Sequence, residues 1–348
     1  MVPSTLGERR KMIAAIRPTE LKDLPALANF LARVYKFDSS DHHVNTKLLE
    51  WKYLCPRPGW KGSRSYLLEK NGQIAAHCGV CPATFNLPSG DAVESLTMTD
   101  WAADPSVPGV GIMLFRKLMA RAPTSFVIGG APVTRQIVPR IGLRQVGEAL
   151  TYSAWLRPLR EFLVRPRTGR STLRLLHGWT HPARDQEGVS GPWTSTRVTE
   201  FDDSLQPMLT ATKRSWTSCQ RTLADLNYLL QCPHLEMMAF LLQRKGQIAG
   251  YFIVAKASWE ARLLDVFVDS QDTNEWKCVL GAVTKAIRYD SEVCRIRLQA
   301  TLPILSQALD WNGYWCQYKE PIFLYDPSNA LDGVFPIEFQ LCDGDAGY

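Results

Sequence analysis

VESLTMTDWAADPSVPGVGIMLFRKLMAR, residues Val93 to Arg121, carries three backbone signals in succession. Val93 to Ala103 reads as a strand, Asp104 to Pro108 as a short loop, and Gly109-Val110-Gly111 as a turn into a helix. The helix is read from Ile112, Leu114, Phe115, Leu118 and Met119, which repeat at helical spacing. Where a strand passes through a glycine turn into a helix, turn N–H groups converge with the helix's first unpaired donors. That arrangement can receive a phosphate. Glycines alone are a weak signal, because many such turns need them only for backbone geometry.

Around this stretch the elements alternate. Ala14 to Pro18 is a predicted strand, Thr19 the N-cap of a helix whose apolar face is Leu24, Leu27, Leu31 and Val34 and which ends near Tyr35, and Asn45 to Leu54 a second helix. Ser65 to Lys70 and Gln73 to Leu87 form a hairpin about Asn71-Gly72, with a break expected near Pro82. Past the central helix come a strand at Ser125 to Gly129, a helix at Pro132 to Ile141 stopped by Gly142, and a closing strand at Gln145 to Leu156.

This β-α-α-β-β-β-α-β-α-β order over residues 13–158, with the loop Ala103 to Ile112, resembles the GNAT superfamily of N-acyltransferases. The resemblance implies an α/β fold with a mixed sheet and acetyl-CoA or another acyl-CoA as co-substrate. It assigns the backbone of Trp101, Ala102 and Ala103 to the pantetheine arm, and Val107, Gly109, Val110, Gly111 and Ile112 to the diphosphate. Arg135 and Arg140 would reach the phosphates. Two positions depart from the family pattern: Pro108 replaces a basic or amide residue and removes an N–H, and Met113 replaces a small residue.

The second half repeats the first. Gly72-Gln73-Ile74-Ala75 recurs as Gly246-Gln247-Ile248-Ala249, Asp100 to Asp104 as Asp265 to Asp269, and Pro132 to Gly142 as Pro303 to Gly313. Predicted elements follow in the same order, among them a strand at Arg197 to Phe201, helices at Asp203 to Arg214 and Leu223 to Leu230, and a last strand at Tyr314 to Tyr325. The expected organisation is a tail at 1–12, a GNAT-like module at 13–158, an Arg-rich linker at 159–194, a second GNAT-like module at 195–330, and a tail at 331–348. After Asp269 the second copy has no glycine and adds Asp272 and Glu275, so a diphosphate would be repelled there.

Acyl transfer to an amine requires a base and a polarised carbonyl, and an acid can assist the leaving thiolate. Glu94 and Asp100 are the carboxylates of the central strand, on one face by alternation, and are the candidate bases. Tyr152 is the candidate acid, because Pro139 stands where relatives carry a tyrosine. Each has a plainer reading: Asp100 has a counterpart, Asp265, in the copy that lacks the loop, Glu94 is near a strand end, and Tyr152 lies in a strand where tyrosines usually pack.

Composition sets the remaining bounds. The 348 residues carry a formal net charge of +6, which suits an anionic ligand and falls short of a nucleic-acid signature. Nine scattered cysteines read as reduced thiols, and Cys78-Gly-Val-Cys81 as strand cysteines rather than a metal knuckle, so no metal is expected. The opening residues lack a signal-peptide run and no segment reaches a membrane span, which leads to a cytoplasmic expectation. The acceptor is expected to be a small-molecule amine, an amino sugar or a peptide. An acyl carrier protein docking on the arginines from Arg157 to Arg184 is the alternative donor, aminoacyl-tRNA a third, and a non-catalytic CoA- or partner-binding module the alternative of another class.

Overall fold

The computed structural model describes residues 15–38, 41–164, 192–211, 214–344 and 347. The expected N-terminal tail lies outside them, as do most of the Arg-rich linker (Arg165, Arg167, Arg170, Arg174, Arg184) and its expected helix at 171–178. Two compact units are present: Met1–Cys55 with Gly62–Gly79 and Asp100–Leu118, and Pro56–Lys61 with Val80–Thr99 and Met119–Tyr348. These units follow density of packing. The modules read from the sequence follow a repeated order of elements, and the two divisions do not coincide.

The first unit holds β1 (Ala15–Pro18), α1 (Leu24–Tyr35), α2 (Thr46–Tyr53) and β2 (Ser65–Lys70). It also takes the start of β3 (Gln73–Asn86), the end of β4 (Ala92–Ala103), and α3 (Val110–Met119) up to Leu118. In α1, Leu24, Leu27, Phe30 and Leu31 form one buried face against Leu49, Tyr53, Leu67 and Ala102. Each such side chain contributes about 2 kcal/mol by leaving water. Asn45 caps α2 by accepting from the N–H groups of Lys47 and Leu48. At the other end the buried Arg64 guanidinium donates to the carbonyls of Trp51, Lys52 and Cys55 at 2.9, 3.0 and 2.8 Å, satisfying groups the helix leaves open. β1, β2 and β3 are antiparallel, and the β2–β3 turn has positive φ at both Asn71 (56°) and Gly72 (75°), as a type I′ turn requires.

The expected break at Pro82 does not occur, since β3 continues through it. Along this edge β3 pairs with β2 as far as Gly79 and with β8 (Thr217–Cys219) at Phe85 and Asn86. Pro82 lies outside both paired stretches, where its missing N–H interrupts neither ladder.

The second unit continues with β5 (Thr124–Ile128), α4 (Pro132–Ile137) and a 3-10 turn at Val138–Ile141, then β6 (Arg144–Trp155) and α5 (Pro158–Val164). β7 (Trp193–Val198), α6 (Gln206–Ala211), β8, α7 (Leu223–Leu230), β9 (Glu236–Arg244), β10 (Gln247–Ala257) and β11 (Glu260–Val268) follow. The chain ends with α8 (Thr273–Arg288), β12 (Arg295–Ala300), α9 (Pro303–Trp311), β13 (Trp315–Tyr325) and β14 (Ile337–Glu338). β7 begins and ends earlier than the predicted 197–201, α6 is shorter than the predicted 203–214, and the short β8 was not expected.

Its strands run in the order β4-β5-β13-β6-β12-β11-β10-β9-β7. β4 and β5 are parallel through Ser95–Thr97 and Thr124–Phe126, and β11 and β12 are parallel through Glu260–Arg262 and Arg295–Arg297. The two long strands expected to close each half are exchanged. β13 pairs with β5, and β6 pairs with β12. The core beneath includes Trp276, Leu280, Val283, Leu305 and Leu309 from α8 and α9, all fully or almost fully buried.

Residues expected to form a C-terminal tail are integral to this unit. β14 pairs in parallel with β8, and Leu331, Ile337 and Phe339 share a core with Phe85 and Phe126. Their apolar surface is removed from water, which a solvated tail could not achieve.

Candidate functional site

β4 departs from regular strand geometry at Asp100, whose φ of 46° is uncommon for a residue other than glycine. Its surroundings hold it there. The Asp100 carboxylate receives Lys52 Nζ at 2.6 Å and the Tyr53 hydroxyl, and its carbonyl oxygen lies 2.9 Å from His77 Nδ1. Because that oxygen can only accept, Nδ1 carries the ring proton. His77 Nε2 then accepts from Ser65 Oγ (2.8 Å), which accepts from Thr19 Oγ1 (2.6 Å). Full burial pushes the His77 pKa down to about 4, so the ring is neutral above that value.

Asp100 is therefore a structural anchor. Its counterpart, Asp265, is similarly held: it accepts from Arg221 Nε at 2.8 Å and from the Tyr251 hydroxyl at 2.9 Å. An aspartate with one cation and one tyrosine recurs in both places, and the expectation of Asp100 as a base is corrected on that ground.

The strand leads into the glycine loop. Asp104 N–H donates to Ala75 O at 2.8 Å, and the Asp104 carboxylate accepts from Ser106 N (2.9 Å) and Ser106 Oγ (2.6 Å). Those two donors hold its pKa below the usual range, and Arg33 lies 3.0 Å away, balancing the negative charge beside the loop. Gly109 has φ 84°, and a Cβ there would meet nothing within 4 Å. Gly111 plays a different part: a Cβ there would lie 2.8 Å from Ala103 Cβ and 3.3 Å from Trp101 Nε1. Only a glycine lets α3 approach the end of β4 this closely. Trp101 Nε1 donates to Gly111 O at 3.0 Å and its ring packs 4.4 Å from Phe115, fixing the helix on the strand.

The first bond of the α3 ladder runs from Met113 N–H to Gly109 O. The N–H groups of Val110, Gly111 and Ile112 precede that ladder and sit at the positive end of the helix dipole. Trp101, Ala102, Ala103, Val107, Gly109, Val110, Gly111 and Ile112 all belong to the first unit. These residues fit a diphosphate: the space above Gly109 is open, the donors lie ahead of the ladder, and Met113, 44% exposed, stands clear of the packed face.

The corresponding loop of the second half is closed. Asp272 caps α8 by accepting from Asn274 N at 2.8 Å. Glu275 accepts from Trp193 Nε1 at 2.7 Å, and Arg244 lies 3.4 Å from Asp269 and 3.5 Å from Glu275. Carboxylates already fill the place an anion would take. A further closure was not legible in the sequence. The Gln340 side chain accepts from Val266 N and donates to Val266 O, both at 2.8 Å, immediately after Asp265. Val266 matches Trp101 in the repeat, so the C-terminal segment occupies backbone groups that a ligand arm would need.

The other expected site residues lie in the second unit. Glu94 is exposed near the start of β4 and has no ion-pair partner among the described residues. It borders a cavity of about 260 Å³ lined also by Arg57, Trp60, Arg121, Arg221 and Asp343. Tyr152 is corrected to a packing position. With β6 inserted beside β12 its side chain enters the core, and its hydroxyl bonds Ser306. Burial raises its pKa above the ordinary tyrosine value. Arg135 donates to Gly130 O at 2.8 Å, and Arg140 is exposed. Arg157 donates to the carbonyls of Arg288 (2.6 Å) and Asp290 (3.0 Å), and Arg160 to that of Ser291, so these two brace the end of α8 rather than a docking face.

No family model matches the chain, and no curated protein sequence matches it. Solved structures do. A GCN5-related N-acetyltransferase from Anabaena variabilis aligns with a TM-score of 0.60 at 12% identity, over 90% of this chain and 72% of that one. Saccharomyces cerevisiae N-myristoyltransferase with bound myristoyl-CoA and inhibitors aligns at 0.60 and 11%, over 90% and 80%. A probable N-acyltransferase from Enterococcus faecalis aligns at 0.57 and 13%, over 93% and 75%. The chain has the mixed α/β fold of the GNAT superfamily. Among the described residues no helix is long and apolar enough to cross a membrane.

Proposed function

We propose that this protein is an N-acyltransferase that moves an acyl group, acetyl in the first instance, from acyl-CoA to an amine. One observation carries the reading. The loop from Gly109 to Ile112 presents uncommitted helix-start donors beneath open space, whereas the matching loop at Ser270 to Glu275 is filled by its own carboxylates. A pair of GNAT-like modules with one working half accounts for that contrast.

In this reading Val110, Gly111 and Ile112 bind the diphosphate through backbone N–H groups. β4 pairs with β5 only as far as Thr97, and we take the edge of β4 that faced β5 as the one that receives an extended arm and the thioester oxygen beyond that point. Glu94 accepts the proton that the amine must lose as its nitrogen attacks the carbonyl carbon. The C–S bond then breaks and the thiolate departs, without a dedicated acid now that Tyr152 is accounted for by packing.

Thiol release from acetyl-CoA and from myristoyl-CoA, measured with a panel of amines, tests the activity. Glu94→Gln is expected to lower kcat at least a hundredfold while leaving CoA affinity within twofold. Equal turnover by Glu94→Gln would remove Glu94 as the base, and no release with any amine would count against the enzyme reading.

A further inference from the structure

We infer that Asp41, His42 and His43, in the connector between α1 and α2, bind a divalent transition metal of the zinc class. The site lies wholly within the first unit and does not depend on acyl transfer. A carboxylate oxygen of Asp41 and one ring nitrogen of each histidine all fall within 4.8 Å of one another. Around a tetrahedral zinc, bonds of about 2.0–2.1 Å put neighbouring ligand atoms roughly 3.3 Å apart. Side-chain rotation alone therefore closes the set. The cysteine spacing that argued against a metal concerns Cys78 and Cys81, not these residues.

The convergence is not what the local backbone dictates. His42 and His43 open a 3-10 turn at His42–Val44. With three residues per turn, successive side chains of such a turn point about 120° apart. These two rings nevertheless lie 3.9 Å apart, tilted by 37°, and His42 Nδ1 is 3.4 Å from Asp41 Oδ1. Neighbouring groups hold the arrangement. Asp41 Oδ1 caps the turn by accepting from the His43 N–H at 2.9 Å. Phe37, just past the end of α1, stacks on the His43 ring at 5.3 Å and 25°. Val44 roots the turn in the core shared with Leu49 and Tyr53. A carboxylate has two oxygens, so capping through Oδ1 is compatible with ligation through Oδ2.

Two imidazoles and one carboxylate select the metal. Mg2+ and Ca2+ take sets of oxygen ligands, whereas imidazole suits zinc and its transition-metal neighbours. All three residues are half-buried, so water can complete the coordination. Beyond the triad, the charges that act on His43 are those of Lys52 and Asp100. These two pair with each other at 2.6 Å, so neither sets the field at the metal by itself. Asp41 supplies the negative charge that a dication requires.

Calorimetric titration of Zn2+ into the full chain, stripped with a chelator and kept reduced, tests this. His42→Asn and His43→Asn are each expected to weaken zinc binding at least tenfold. Asp41→Asn keeps an oxygen for the cap and removes the charge, so it should weaken zinc about tenfold while the metal-free protein unfolds at the parent's temperature. Excess Mg2+ should change zinc affinity less than twofold. Co2+ absorption of the unaltered chain gives a readout that no variant's folding can disturb: nitrogen and oxygen ligands give weak d–d bands, and thiolates an intense charge-transfer band. The proposal predicts the weak bands. Zinc affinity unchanged in the His42→Asn/His43→Asn double variant would overturn it, as would no zinc bound by the parent. A Co2+ spectrum of thiolate type alone would also overturn it, by moving the metal to the cysteines, and competition by Mg2+ would remove the imidazoles as ligands.

Discussion

Gln340 closes both backbone hydrogen bonds of Val266 through one side-chain amide, with each contact at 2.8 Å. Val266 is fully buried, so no neighbouring solvent replaces the amide. Gln340→Ala leaves a buried N–H and a buried C=O unsatisfied, each costing about 1–3 kcal/mol. Urea unfolding should show a loss of about 3 kcal/mol, with CoA affinity preserved, because the glycine loop belongs to the other unit. A loss under about 0.5 kcal/mol would mean that the clamp contributes only complementarity of shape.

His77 gives the stability a defined pH dependence. Its folded pKa of about 4 lies below the ordinary 6.5, so the unfolded chain binds a proton more readily than the folded one between those values. The contribution is complete above pH 6.5 and is lost as pH falls through that window, a total of about 3 kcal/mol. The exposed ends of such a window are accessible to urea titrations at closely spaced pH. His77→Asn should flatten the dependence between pH 6.5 and 4 relative to the parent, and an unchanged slope would assign it to other groups.

What was legible in the sequence was local. α1, the Asn45 cap, the Asn71-Gly72 turn and α7 at Leu223–Leu230 are set by periodicity and by residues a few positions apart. The exchange of β6 and β13 was not, because two strands of similar pattern compete for the same neighbours and the choice is made by tertiary packing. Tyr152 was misread for that reason. Its residue type pointed equally to chemistry and to packing, and the neighbour that decides between them, Ser306, comes from α9. Asp100 shows the opposite case. Its match with Asp265 was visible in the repeat and already indicated a shared structural task.

At the candidate site the glycines were legible and their separate tasks were not. Gly109 serves a left-handed backbone position under open space, while Gly111 serves close approach to Ala103 and Trp101. Tertiary packing makes that distinction, since both occur in the same three-residue turn. The plug formed by Gln340 was equally out of reach, because nothing local marks a glutamine 74 residues from Val266 as its partner.

Titration of CoA into the full chain tests the central claim most directly, with Gly109→Asn and Gly109→Glu as paired variants. Asparagine tolerates the left-handed backbone that Gly109 adopts at φ 84°, and glutamate adds a negative charge in the open space above the loop. One CoA per chain is expected, with affinity within about tenfold in Gly109→Asn and at least a hundredfold weaker in Gly109→Glu. Unchanged affinity in Gly109→Glu, or CoA that binds at the loop from Ser270 to Glu275 instead, would contradict it.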